Sequence, residues 1–337
     1  LALHITGQRP DAYHLIESLV VFADVADQIS IESAETDCLT FSGPYGAMLS
    51  ADPADNLVLK ARDALRAATL LPCPPVAIHL EKNLPLSSGI GGGSADAAAT
   101  LKGLNDHWQL GLSLADLCAI GANLGADVPM CLHGRPLIAS GIGEIIEPVE
   151  LPGLHLLLVN PGVAVSTPAI FKALAKKDNK ALPPMPLVSG EEAGPDLLLL
   201  TPTANVIPGS RSETRNPEVR NSEISSDGFL YQTSAASYQV PISGLRVSLR
   251  DPGMTSTGDR LHKLVSYFAT TRNDLQPPAL NLQPVIADAI AALEQSGALL
   301  ARMSGSGATC FGIFADEEAK EHAGIAIRQA HPDWWIG

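Results

Sequence analysis

The sequence predicts an α+β protein built as two domains, and three observations lead to that expectation. Residues 1–80 are dominated by short alternating runs separated by turn-rich segments, the pattern of half-buried strands. Apolar positions at helical spacing recur from residue 56 onward and again after residue 166. The chain's 337 residues suffice for two ordinary cores.

Taken in order, LALHIT (1–6), ESLVVFAD (17–24), DQISIES (27–33) and PVAIHL (75–80) read as strands. NLVLKARDALRAA (56–68) reads as a helix, with Asn56 placed to cap its free amides. A glycine-rich segment follows, then helices over about 94–108 and 113–124. The second opens on Ser113-Leu114-Ala115-Asp116, a capping box, and stops at Gly125. A domain boundary is expected between Pro148 and Pro152, dividing the chain into 1–150 and 151–337. LHLLLVN (154–160) is a strand ended by Pro161-Gly162, and a helix begins near Ser166. DRLHKLVSYFATT (259–271) places Leu261, Leu264, Val265 and Phe268 on one helical face. PVIADAIAALEQSG (284–297) ends on Gly297, suited to a left-handed C-terminal cap. LLARMSGSGATCFGIF (299–314) reads as strand, turn and strand, and a polar-faced helix closes the chain. Residues 187–258 lose periodicity, crowd in Pro, Ser and Gly, and nearly repeat Arg-Asn-x-x within SETRNPEVRNSE. They read as a disordered or peripheral insertion.

Thirty-six acidic against 22 basic residues set the formal charge at −14, with no basic stripe to offset it. Extended binding to nucleic acid or to an anionic membrane is disfavoured, so any anionic ligand must be held locally. The five cysteines are scattered, without CxxC or Cys/His spacing. Neither a disulfide framework nor a metal-ligand set is indicated, and free thiols in a reducing cytoplasm are expected. No apolar run reaches the roughly 18 residues of a membrane span, and nothing resembles a signal peptide.

The segment LPLSSGIGGGSADAAATL (84–101) carries the most chemistry. A Walker loop needs Gly-Lys-Ser/Thr, and here Gly93-Ser94 is followed by Ala95-Asp96. A dinucleotide fingerprint needs a third glycine where Ser94 stands. Two readings stay open. The turn and the helix amides behind it cradle phosphate, or the glycines only form a joint and Ser94 caps the helix.

Three other sites bear on that choice. Asp127, in GADVP, follows the end of a helix, where the macrodipole disfavours a carboxylate, and Val128-Pro129 predicts an extended exit. An Asp set against local preference is a candidate general base, although most such residues only form turns. Tyr13 and His14 pair a stacking face with hydrogen-bonding groups suited to a nucleobase, the alternative being a half-buried core edge. The second glycine-serine turn, Gly305-Ser306-Gly307, is otherwise an ordinary hairpin.

Together these pieces resemble the GHMP kinase superfamily. Its phosphate loop, Pro-x-x-x-Gly-Leu-Gly-x-Gly-Ser-Ser/Ala, is matched by Pro85-Leu86-Ser87-Ser88-Gly89-Ile90-Gly91-Gly92-Gly93-Ser94-Ala95, with Ile for Leu. HITGQRPDAYHLIES, GADVP, NPGVAVSTPAIF, TRNDLQPPA and RMSGSGATCFG are similar, in this order, to the branch acting on diphosphocytidyl-methylerythritol. The resemblance covers about 1–186 and 259–315. It implies a ribosomal S5-like N-terminal domain that binds ATP, a ferredoxin-like C-terminal domain and an N-terminal strand truncated in this chain.

The activity implied is transfer of the γ-phosphoryl group of ATP, with Mg²⁺, to the substrate's 2-hydroxyl in the non-mevalonate route to isoprenoid precursors. Residues 85–95 would wrap the ATP phosphates, Asp127 would take or orient the hydroxyl proton, Tyr13 and His14 would hold cytosine, and Thr167 would lie near the substrate. The Gly305-Ser306-Gly307 turn would help to close the site.

Two departures stand out beside the insertion. The family's catalytic lysine belongs to a Pro-Ala-Lys-x-Asn-Leu segment whose last residue matches Leu1, so the lysine is expected upstream of this sequence. Ala12 stands where the family carries glycine before the Tyr-His pair. Two rival readings are a kinase for another small alcohol, such as mevalonate, homoserine or a sugar, and a nucleotide-binding relative that has lost catalysis.

Overall fold

A computed structural model describes residues 1–52, 54–185, 238–241 and 257–337. The N-terminal half runs β1 (Ala2–Gln8), β2 (His14–Val20), β3 (Gln28–Ser33), β4 (Cys38–Ser42), α1 (Leu57–Ala67), β5 (Val76–Glu81), α2 (Gly92–His107), α3 (Leu114–Ala122), α4 (Val128–His133), β6 (Leu137–Gly141) and β7 (Ile145–Pro148). The remainder comprises β8 (His155–Asn160), α5 (Thr167–Lys172), β9 (Tyr238–Pro241), α6 (Thr257–Thr270), α7 (Gln276–Leu282), α8 (Val285–Gln295), β10 (Leu300–Met303), β11 (Cys310–Phe314), α9 (Glu317–Ala330) and β12 (Trp335–Ile336).

Three sheets organise these elements, in the orders β1-β2-β6-β7, β4-β5-β3-β9 and β10-β11-β8-β12. The pairings are antiparallel except for β4 on β5. Strand alternation places the cores. In β5, Val76, Ile78 and Leu80 point inward, and beside them Ile29 and Ile31 of β3 do the same. Against this face pack Val58 and Leu65 of α1 and Leu101 and Leu104 of α2, fully burying side chains worth about 1.5–3 kcal/mol each. The alanines of α2, Ala97 to Ala99, are buried too, so the helix that follows the glycine turn is anchored in the core.

The third sheet is covered on both faces, which explains why every residue of β11 is buried. Cys310 and Phe314 meet Ile286 and Leu293 of α8 and Ile327 of α9. Phe311 and Ile313 meet Leu264 and Phe268 of α6 on the other side.

Local signals are realised where they rest on side chains. Asn56 Oδ1 accepts the Val58 amide at 2.9 Å, and Ser113 and Asp116 complete the capping box. Gly297 sits at φ 93°, just past the end of α8. The sequence missed β4, β6, β7, β12, α4 and α7; β2 starts earlier than expected, and α5 stops at Lys172. The exit after Asp127 is helical, a correction with a plain cause: Pro at the start of a helix gives up an amide that has no intrahelical partner, so Val128-Pro129 can open α4. The expected insertion at 187–258 lies outside the described residues, except for β9, which pairs with β3, and the first residues of α6. Among the described residues no helix is long and apolar enough to cross a membrane.

Candidate active site

The glycine segment joins β5 to α2. Gly91 occupies the N-cap position at φ 72° and ψ 18°, a left-handed backbone that glycine adopts freely, and no side chain caps the helix. Ser94 is the third residue of α2, so the reading in which it served as the cap is corrected. The first amides of a sixteen-residue helix are left facing the turn, as an anion requires. Beside them lies a cavity of about 370 Å³, bounded by residues 49, 55–58, 80, 82, 85–89, 91–94 and 96, so that Lys82 and Asp96 reach its wall. Away from the turn, Leu49, Leu57, Val58 and Leu80 supply apolar wall for a flat ring system and Asp55 and Asn56 supply polar groups, while the turn suits phosphates.

The second glycine-serine turn seats against the first. A Cβ on Gly89 would collide with the Gly307 carbonyl, and one on Gly305 would lie 2.7 Å from the Gly89 oxygen. Thr309 N donates to the Ser88 carbonyl at 3.0 Å, and Ser304 Oγ donates to the Gly89 carbonyl at 3.3 Å. The hydroxyls of Thr167 and Ser306 are 2.8 Å apart, tying the start of α5 to the same turn. One helical turn on, Phe171 of α5 lies under the His14 ring, with centroids 4.8 Å apart. His14 is thereby linked through Phe171 and Thr167 of α5 to Ser306, whose neighbours Gly305 and Gly307 meet Gly89.

His14 Nε2 is buried without a partner, a donor or acceptor waiting for one. Burial, then the charge of Lys177, holds the ring below the usual histidine range, so it is neutral at pH 7. Tyr13 is 61% exposed beside it.

Asp127 stands at the N-cap of α4, with φ −84° and no side-chain capping bond. Its side chain reaches solvent, yet enough protein crowds it that burial raises its carboxyl above the ordinary range. α4 packs against α2, and Asp127 and Asp96 both bear on the Cys131 thiol, which burial first, then these carboxylates, push up to about 12.

Sequence reasoning missed Phe171, the place of Asn56 on the cavity wall, and the charges beneath the turn. Lys82 Nζ lies 2.5 Å from Asp27 Oδ2 and 2.7 Å from Asp96 Oδ2. Of the three, only Asp96 stands as a lone charge among small and apolar residues, which was the available signal. Among the described residues no group of three His, Cys, Asp or Glu side chains could hold a metal ion.

A family model described as GHMP kinases N terminal domain matches residues 56–135, and one described as GHMP kinases C terminal matches residues 254–333. A 4-diphosphocytidyl-2-C-methyl-D-erythritol kinase of Rhizobium johnstonii is 45% identical over 337 residues, spanning 100% of this chain and 88% of that protein. The protein of that name from Brucella melitensis is 43% identical over 340 residues, spanning 99% and 90%. A crystal structure of 4-(cytidine 5'-diphospho)-2C-methyl-D-erythritol kinase matches the fold with a TM-score of 0.64 at 24% identity, covering 100% of this chain and 94% of that one. Homoserine kinase from Cytophaga hutchinsonii matches with a TM-score of 0.55 at 15% identity, covering 96% and 88%. The structural likeness bears on the fold alone, an α+β architecture of GHMP N- and C-terminal domains; sequence identity sustained over the whole chain decides the family. The chain belongs to the 4-diphosphocytidyl-2-C-methyl-D-erythritol kinases, ATP-dependent members of the GHMP kinases.

Proposed function

We propose that the protein transfers the γ-phosphoryl group of ATP to the 2-hydroxyl of 4-diphosphocytidyl-2-C-methyl-D-erythritol, in the cytoplasm, on the way to isoprenoid precursors. The observation that carries this reading is the uncapped start of α2 opening beside the 370 Å³ cavity. Residues 85–95 would hold the ATP phosphates through backbone amides, with the nucleoside between Leu57, Leu80 and Asn56. The neutral His14, set on Phe171, offers a ring nitrogen to the edge of cytosine while Tyr13 closes over its face. Thr167, its hydroxyl paired with that of Ser306, would lie near the substrate. A division near residue 150 would separate an ATP-binding half from the C-terminal half that supplies α5 and the second glycine turn.

In the transfer, the substrate's 2-oxygen forms a bond to the γ-phosphorus as the bond to the β–γ bridging oxygen breaks, and ADP leaves with that electron pair. The hydroxyl proton passes to the Asp127 carboxylate. Its raised pKa makes Asp127 a better acceptor than an ordinary aspartate. Because phosphoryl transfer depends chiefly on positioning and charge stabilisation, a backbone cradle and one carboxylate account for most of the protein's share. Mg²⁺ supplies neutralisation of phosphate charge. The Ser94 hydroxyl, on the cavity wall at the start of α2, would be the side chain to hold an ion bound with the nucleotide.

The test is ATP consumption by the full-length protein with diphosphocytidyl-methylerythritol, mevalonate and homoserine as rival acceptors. Turnover with the first alone is expected. Turnover with either rival instead, or with none, overturns the assignment.

A further inference from the structure

Beneath the phosphate turn lies a buried charge cluster that the mechanism above does not use. β5 ends at Glu81, and the next residue, Lys82, turns its ammonium under the first turn of α2, where a Cβ on Gly92 would sit 3.4 Å from Nζ. Lys82, Asp27 and Asp96 have side chains only 3%, 1% and 5% exposed. Asp27 uses its other oxygen to accept the amides of Asn83 at 2.7 Å and Leu84 at 2.9 Å, the residues that open the glycine turn. Asp96 belongs to α2, where the turn ends. One ammonium thus clamps both ends of the segment that cradles phosphate.

The clamp is not explained by stability. Two carboxylates share one cation, and Asp96 Oδ1 is buried without a partner. Burial, opposed by Lys82 and reinforced by the Asp27 charge, pushes the Asp96 carboxyl up to about 7, so its ionised form is a cost to the fold. Buried ion pairs of this kind are often replaceable by apolar side chains with no loss of stability. What an apolar replacement could not supply is a directional tie between β5 and α2. The amides that meet the phosphates lie within one turn of that tie.

We infer that Asp96 is a positioning residue for phosphoryl transfer: acting through Lys82, it fixes the first turn of α2 and so sets the grip of the glycine turn on ATP. The inference rests on the ATP reading of that turn, and it predicts a loss confined to nucleotide binding.

The experiment uses the full-length protein with Asp96→Ala and Asp96→Asn, measuring steady-state kinetics, ADP binding by calorimetry and thermal unfolding. Asp96→Ala is expected to raise KM for ATP and Kd for ADP about tenfold, equivalent to about 1.4 kcal/mol. In that variant kcat and KM for the alcohol should stay within about twofold of the wild type. Asp96→Asn keeps an acceptor for Lys82 and should recover most of the lost affinity, while neither variant melts earlier than the wild type at pH 8. Wild-type Kd for ADP in Asp96→Ala overturns the inference. So does a uniform loss of KM, kcat and melting temperature, which would mark a structural residue. If Asp96→Ala lacks a cooperative transition, Asp96→Ser is judged by the same criteria. Absence of ATP turnover in the wild type would instead count against the kinase reading itself.

Discussion

At the scale of single residues, backbone and burial make different demands at Ala12 and Asp127. Ala12 sits at φ 71° in the turn between β1 and β2. An L side chain there costs about 1–2 kcal/mol, partly offset by the smaller entropy that alanine loses on folding. Ala12→Gly should therefore stabilise the protein by about 0.5–1 kcal/mol, read as a higher urea midpoint at unchanged m-value. Asp127 acts as a base only when ionised, and burial raises its pKa. The rate should fall, as pH drops, at a higher pH than an ordinary aspartate would give. Asp127→Asn should lower kcat by about 10²–10⁴ and remove that acid limb, leaving ATP affinity within about twofold. Retention of wild-type kcat would end the general-base assignment. The motif GADVP was enough to single out Asp127, but its setting was misread. Pro129 suits either an extended exit or the start of a helix, and packing against α2 decides between them.

At the scale of elements, the decisive contact is between two glycine turns from opposite ends of the chain. Gly89 is at φ 73° with no room for a Cβ against the Gly307 carbonyl. Gly89→Ala should displace residues 305–307, cost about 1–3 kcal/mol of stability and raise KM for ATP, whereas Gly93→Ala, whose nearest outside atom is a Leu57 methyl 3.5 Å away, should do far less to stability. Melting temperatures and ATP kinetics of the two variants, compared side by side, check this. Each turn was legible alone from its Gly-Ser spacing. Their contact was not, because periodicity reports an element's own exposed and buried faces and carries no information on which distant turn will meet it. The same limit hid Phe171, seen in sequence only as an apolar position of a short helix.

At the scale of the whole molecule, the Asp27–Lys82–Asp96 cluster links function to pH-dependent stability. Burial, opposed by Lys82 and reinforced by Asp27, raises the Asp96 carboxyl in the fold to about 7, well above the ordinary aspartate range. An acid raised on folding contributes stability that is fully present below its unfolded pKa and is lost as pH rises through the folded one. Asp96→Asn should remove that loss, so its stability relative to the wild type should improve between about pH 4 and pH 7, measured by urea unfolding across the range. An unchanged difference across that range would show that Asp96 is not raised. The amino-acid sequence by itself determined the α+β class, most strands and helices, the glycine turn between β5 and α2 and the candidacy of Asp127, Tyr13 and His14, while Thr167 was a candidate only through the resemblance to the GHMP kinases. The elements and the turn follow from side-chain periodicity, caps and glycine spacing, all properties of neighbouring residues. Only the tertiary structure decided that Ser94 leaves α2 uncapped, that His14 rests on Phe171, and that a cation from β5 binds carboxylates from two other segments. These depend on which surfaces are buried together, and burial sets both the strength of a charge pair and the pKa of its members.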